Sequence, residues 1–229
     1  ASGPSSPHVD LEREPAFRPL IARFRELGEW ALGLDRRPAA EVAVLLDDES
    51  LFHESVRNDL DLPLIFEQRL WGLPRMGAPF DTYLLGDLLD RRLPPYRLYV
   101  FLNAFSLSAA RRAALASALR RDDRVALWVY APGWLDDGVP SLGSMEELTG
   151  FRFAASPTPW GPRVSLTDLS HPITAGLPPD TSWGTTSRLA PVFHVDDPDC
   201  RVLGNVVYSQ GRCVPGFAVK RCADWSSVY

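Results

Sequence analysis

Cysteine is scarce in this chain of 229 residues: only Cys200, Cys213 and Cys222 are present, and no two of them form a Cys-x-x-Cys pair. That spacing excludes a disulfide framework and a cysteine-based zinc site, and the odd count leaves at least one free thiol, which fits a reducing, cytoplasmic setting. Histidine is also sparse. His8, His53, His171 and His194 are far apart, with no helical His-x-x-x-His or His-Glu pair, so no metal site is expected. No cofactor motif is present either. No apolar run approaches the ~20 residues that span a bilayer, and the amino-terminal stretch has no basic segment followed by an apolar one. A basic excess is missing as well. The formal charge of −5 and the pI near 5.4 argue against nucleic-acid and membrane partners, which require a clustered positive field. The doublets Arg111-Arg112 and Arg120-Arg121 read as solvated helix faces balanced by nearby acids.

Hydrophobic residues make up 45% of the chain, enough for a full core in one large domain with an appendage. Residues 1–13 are rich in Ser, Pro and charge and read as a leader. From Pro15 to Gly33, Phe17, Leu20, Ile21, Phe24, Leu27 and Ala31 recur at helical spacing, and Asp35-Arg36-Arg37-Pro38 reads as a boundary. The expected organisation is therefore a leader and connector helix over 1–38 and an α/β domain over 39–229.

Within the second part, Val42–Leu46, Phe80–Leu85, Leu98–Leu102 and Val125–Tyr130 read as strands, separated by helical stretches near 62–76, 87–91 and 108–120. Short β/α alternation of this kind implies a mostly parallel sheet covered on both faces, with its ligand-capable edge at the carboxyl ends of the strands. After a short helix near 144–149 the sequence becomes rich in Pro, Gly and Trp. Strands are expected at 163–166, 191–195, 201–208 and 214–220, appended to the core as hairpins, and a final strand at 224–229. The chain starts without Met and ends on strand-like sequence, so it is expected to be a piece of a longer protein.

The stretch Glu41 to Glu49, the segment Gly77-Ala78-Pro79-Phe80-Asp81, the strand Leu98–Leu102 with Asn103-Ala104-Phe105, and Val129 to Gly133 together resemble the class I glutamine amidotransferase-like fold, a flavodoxin-like three-layer α/β sandwich. More narrowly they resemble the trimerisation domain of family 42 β-galactosidases. His171-Pro172-Ile173-Thr174-Ala175-Gly176-Leu177-Pro178 is similar to a phrase of amidotransferase-like domains, the ThuA-like group among them. The resemblance implies a domain that follows a catalytic (β/α)8 barrel and helps hold an oligomer together. Its partners would then be the missing catalytic domain, copies of itself, or both. Amidotransferases of this fold carry a Cys in a Gly-x-Cys-x-Gly elbow, where a strained turn exposes the sulfur. The matching stretch, Val129-Tyr130-Ala131-Pro132-Gly133-Trp134, has no Cys, Ser or Thr.

Three functional readings stay open on the residues themselves. The leading one is a non-catalytic accessory or oligomerisation domain of a glycoside-hydrolase-like protein. The second is a hydrolase or amidotransferase-like enzyme using Asp48, Glu49 and a histidine such as His171, with Asp47-Asp48-Glu49 and Ser50 at the carboxyl end of the first strand. Adjacent strand residues point to opposite faces, so at most two of those three acids can converge, and a loop-fixing role competes with catalysis. The third is a carbohydrate-binding module, with Trp134 or Trp183 stacking on sugar and Asn103 and Tyr130 lining the same crevice.

Overall fold

The computed structural model describes residues 15, 17–35, 39–54, 62–208 and 211–229. The expected leader at 1–13, and residues 36–38 of the expected boundary, lie outside them. The chain divides into two compact units, Ala1–Pro38 and Ala39–Tyr229. In the first, α1 (Arg18–Leu32) has a proline in its opening turn, where a missing N–H costs nothing, and within its own unit the helix buries none of its residues.

In the second unit, β1 (Val42–Leu46) leads through a short 3-10 turn and a π-wound segment (Leu62–Gly72) to β2 (Phe80–Leu84). Helix α2 (Leu85–Leu89), β3 (Leu98–Phe101), α3 (Ala109–Leu119) and β4 (Arg124–Trp128) follow, and then a small hairpin of β5 (Leu135–Asp136) and β6 (Val139–Pro140). Helix α4 (Leu142–Thr149), β7 (Phe153–Ser156), β8 (Arg163–Leu166), β9 (Ser182–Gly184), β10 (Val192–Val195), β11 (Arg201–Tyr208), β12 (Arg212–Arg221) and β13 (Trp225–Val228) complete the chain.

Nine strands form one sheet in the order β2-β1-β3-β4-β13-β12-β11-β8-β9. The first five are mutually parallel, and the pairings from β12 to β9 are antiparallel. The late strands therefore extend the core sheet itself, because β13 returns beside β4 and carries its hairpin partners with it. Among the described residues, only the β7–β10 and β5–β6 pairs stand apart.

Residue parity assigns the two faces of the parallel half. Ala43, Leu45, Tyr99, Phe101, Ala126 and Trp128 pack with Leu85 and Leu88 of α2 and Leu115 and Leu119 of α3. Val42, Val44, Val100 and Leu102 form the opposite cluster, against which Leu73 of the β1–β2 crossover packs. A strand buried on both faces reads as an unbroken apolar run, as Val42–Leu46 does. The large aromatic pair of the core, Phe101 and Trp128, stacks at 4.2 Å, and the Trp128 Nε1–H donates to Ser227 Oγ at 3.0 Å, tying β4 to β13.

Local signals position the helices. Ser108 caps α3 by accepting from the Arg111 N–H, and Ser141 caps α4 by accepting from Ser144. Gly150 ends α4 in the left-handed region, φ 79°, where a side chain would be strained. Helix α2 starts two residues earlier than the sequence pattern suggests, and the segment 62–72 is π-wound where an ordinary helix was expected.

Candidate functional site

The carboxyl edge of the parallel strands is built from β1, β3 and the loops that leave them. The peptide N–H of Asp47 donates to Asn103 Oδ1 at 2.8 Å, and Asn103 Nδ2 donates back to the Asp47 carbonyl at 2.9 Å. This reciprocal pair joins the ends of β1 and β3. Ser50 then closes the loop, its hydroxyl donating to Asp47 Oδ2 while accepting the N–H groups of Phe105 at 3.0 Å and Ser106 at 2.9 Å. A hydroxyl has one donor and two acceptor sites, and all three are used. Ser50 is fully buried, Asp47 is 1% exposed and Asn103 is 1% exposed, so no open crevice reaches them.

Arg111, from the first turn of α3, binds the same cluster. Its guanidinium donates to Asp47 Oδ1 at 2.6 Å, to Glu49 Oε2 at 2.8 Å and to the Ser106 carbonyl at 3.3 Å. Arg112 points inward, 4% exposed, and joins Asp136 at 2.9 Å, Glu147 at 2.9 Å and the Leu107 carbonyl at 2.7 Å. Arg112 holds the Asp136 carboxyl below the ordinary carboxylate range. The doublet Arg111-Arg112 is thus an internal clamp and not a solvated face. Arg120 is exposed as expected, although its guanidinium lies over Trp225 at 5.4 Å. The signal for Arg111 was its place: in the first turn of the helix that follows β3, at the edge where Asp47-Asp48-Glu49 also lies.

Beyond β4, the turn has a strained backbone and carries no Cys, Ser or Thr from Val129 to Trp134. Tyr130 sits at φ 65°, a rare conformation for a bulky residue. Its phenol donates to the Pro191 carbonyl at 3.0 Å, and its carbonyl accepts from the Tyr229 hydroxyl at 2.7 Å. Burial and then the nearby Glu54 carboxyl push the Tyr130 phenol up to about 12, so it stays protonated at neutral pH. Phe105 and Phe193 pack edge-on to Tyr130 at 5.6 and 5.5 Å, and Trp134 packs on Phe193 at 5.0 Å. The rings of Phe105, Phe193 and Trp134 thus pack around this turn.

Of the remaining sequence candidates, only Glu49 joins this edge, through Arg111. Asp48 and Glu49 are exposed, with Glu49 paired to Arg111. His171 lies in a turn after β8, where its Nδ1 accepts the Ile173 N–H at 3.2 Å. Trp134 is half-buried in the aromatic cluster, whereas Trp183 is 42% exposed on the terminal strand β9, with its inner side against Phe217 at 5.3 Å. Burial raises the thiols of Cys200 and Cys222, the opposite of what a nucleophilic cysteine needs. Among the described residues no group of three or more His, Cys, Asp or Glu is arranged to hold a metal ion. No described helix is long and apolar enough to cross a membrane.

This architecture recurs in solved proteins. A β-galactosidase from Bacillus circulans sp. alkalophilus superposes with a TM-score of 0.67 at 16% identity, over 95% of this chain and 32% of that one. A cold-adapted β-galactosidase from Rahnella sp. R3 gives 0.67 at 14% identity, over 95% and 32%. The chain shares their fold. It spans about a third of the length of these β-galactosidases, including a family 42 β-galactosidase from G. stearothermophilus, of which it covers 31%. A ThuA-like protein from Bacteroides uniformis aligns with a TM-score of 0.51 at 14% identity, over 81% of this chain and 80% of that protein. The amidotransferase-like α/β class expected from the sequence therefore stands. No family model matches the chain, and no curated protein sequence matches it.

Proposed function

We propose that this chain is a non-catalytic domain of a glycoside-hydrolase-type protein that serves assembly, with copies of itself and with a catalytic domain carried elsewhere in the same protein. One observation carries the reading: within the second unit, exposed apolar side chains concentrate in the β1–β2 crossover. Leu51, Phe52, Phe66, Leu70, Trp71 and Met76 are all exposed, Phe52 at 88% and Trp71 at 63%. Apolar surface gathered in one segment is the signature of a partner surface. The neighbouring carboxyl edge supports the same reading, since the hydroxyl of Ser50 has no free lone pair and no access.

The test is the mass of the native gene product and of its assembly in the host, measured with an antibody against this chain and by light scattering. The expected result is a product several times longer than 229 residues that forms a defined oligomer. A product of about this chain's own length that stays monomeric at micromolar concentration would overturn the reading.

Trp183 favours carbohydrate binding as a second reading, because an exposed indole on a terminal strand offers a flat face for a sugar. Galactosides should then alter the tryptophan fluorescence of the wild type and leave a Trp183→Ala variant unchanged. A flat titration to millimolar sugar removes this reading.

A further inference from the structure

A second feature lies at the opposite end of the strands and is independent of the assembly reading. A cavity of about 310 Å³ opens between α2, the loop that precedes β3, and α3. Its walls are of two kinds. Leu88, Leu89, Leu93, Ala118 and the ring of Tyr99 supply apolar surface, and Arg91, Arg121 and Arg124 supply positive charge. One carboxylate, Asp122, serves both Arg124, at 3.1 Å, and Arg121, at 3.7 Å. Arg124 is 8% exposed and fixed further by the Ala118 carbonyl and by the face of Tyr99 at 5.7 Å. The lining residues thus include three arginines and no carboxylate.

Arg91 is the informative member. It ends α2 in a left-handed conformation, φ 57°. The Arg91 N–H donates to the Leu88 carbonyl at 3.1 Å and the Arg92 N–H to the Asp87 carbonyl at 2.9 Å, a Schellman closure. Glycine is the residue that this position favours, because a Cβ is strained there. An arginine occupies it instead, and among the described residues its guanidinium has no ion pair or hydrogen-bond partner. Arg91 is exposed and lines the cavity.

We propose that the cavity binds a compact organic acid, its oxyanion held by Arg91 and Arg121 and its apolar body seated on Leu88, Leu93 and Ala118. The planar fork of a guanidinium matches a carboxylate or a phosphate monoester, and the volume lies at the small end of ligand pockets, fitting a single ring or a short branched chain. Arg124, already bonded, sets the field and the wall.

The experiment compares phenylacetate, phenyl phosphate and the neutral phenylacetamide by ¹H–¹⁵N NMR titration of the whole chain, at low and high salt. At least one anion is expected to shift amides of residues 88–95 and 114–121 and to weaken with salt, with phenylacetamide about tenfold weaker. The anion that binds distinguishes a carboxylate from a phosphate source. Arg91→Gly should lose about tenfold in affinity for that anion while melting no lower than the wild type, because the strain at this position is relieved. Arg91→Asn, which tolerates the same backbone, serves as a second folded control. Equal binding of the neutral amide, unchanged affinity in both variants, or no shift at millimolar ligand would overturn the proposal.

Discussion

The hydroxyl of Tyr229 donates to the main-chain carbonyl of Tyr130 at 2.7 Å, so the last residue of the chain holds the strained turn that follows β4. Tyr229 is itself paired at both backbone groups with Ala218, at 2.9 Å each, and packs on Phe153 at 4.8 Å. Removing only the hydroxyl, in Tyr229→Phe, leaves that carbonyl without its donor and should cost about 1–2 kcal/mol, read as a lower urea midpoint with an unchanged slope. Burial raises the Tyr229 phenol, and Tyr130 is held at about 12. In the unfolded chain both ionise near pH 10. The stability they share with the fold is therefore present below about pH 10 and lost above it, and ultraviolet titration should find these two phenols, like that of Tyr96, ionising above pH 10.

Ser50 and Glu49 separate structure from surface. Ser50→Ala should cost about 2–4 kcal/mol, because two buried N–H groups and a carboxylate oxygen lose their partner. Calorimetry should show this as a melting temperature lower by about 5–10 °C. Glu49→Gln breaks a half-exposed ion pair and should move stability by no more than about 0.5 kcal/mol.

Acid sensitivity should come from His194 on β10. Its Nδ1 is buried without a partner, and burial, with a smaller contribution from Arg212, lowers its pKa below 6.5 against the opposing pull of Asp196. The unfolded chain takes up this proton near pH 6.5, and the folded chain only at lower pH. Stability is thus constant above about pH 6.5 on this account and falls as the pH drops below it. Urea midpoints measured between pH 7.5 and 5.5 should decline in the wild type and decline less in His194→Leu.

Gly216 should not accept a side chain. A Cβ there would lie 2.5 Å from Val206 Cβ and 2.9 Å from the Val206 nitrogen, across the β11–β12 pair. Gly216→Ala should therefore destabilise by about 1–3 kcal/mol, measured by chemical unfolding.

The strands that were legible in the sequence are those with dense apolar or β-branched runs, such as Val42–Leu46, Leu98–Phe101 and Arg201–Tyr208. Phe153–Ser156 and Ser182–Gly184 were not, because Ala, Ser and Gly carry little strand signal and these segments exist through their partners Val192–Val195 and Arg163–Ser165. The insertion of β13 beside β4 joins residues about a hundred positions apart, and no local pattern encodes it. At the carboxyl edge the acidic cluster was visible, whereas its clamp was not. Arg111 and Arg112 differ from surface arginines only in what the fold brings to them.

The central claim is that the exposed crossover between β1 and β2 is an assembly surface. Sedimentation velocity of the native protein, compared with a Phe66→Asp, Trp71→Asp variant, tests it most directly. The wild type should sediment as a defined oligomer at micromolar concentration. The variant, changed only at side chains 59% and 63% exposed, should fall to a smaller species with the same circular dichroism and melting temperature. A wild type that is monomeric, or a variant that sediments like the wild type, would contradict the account.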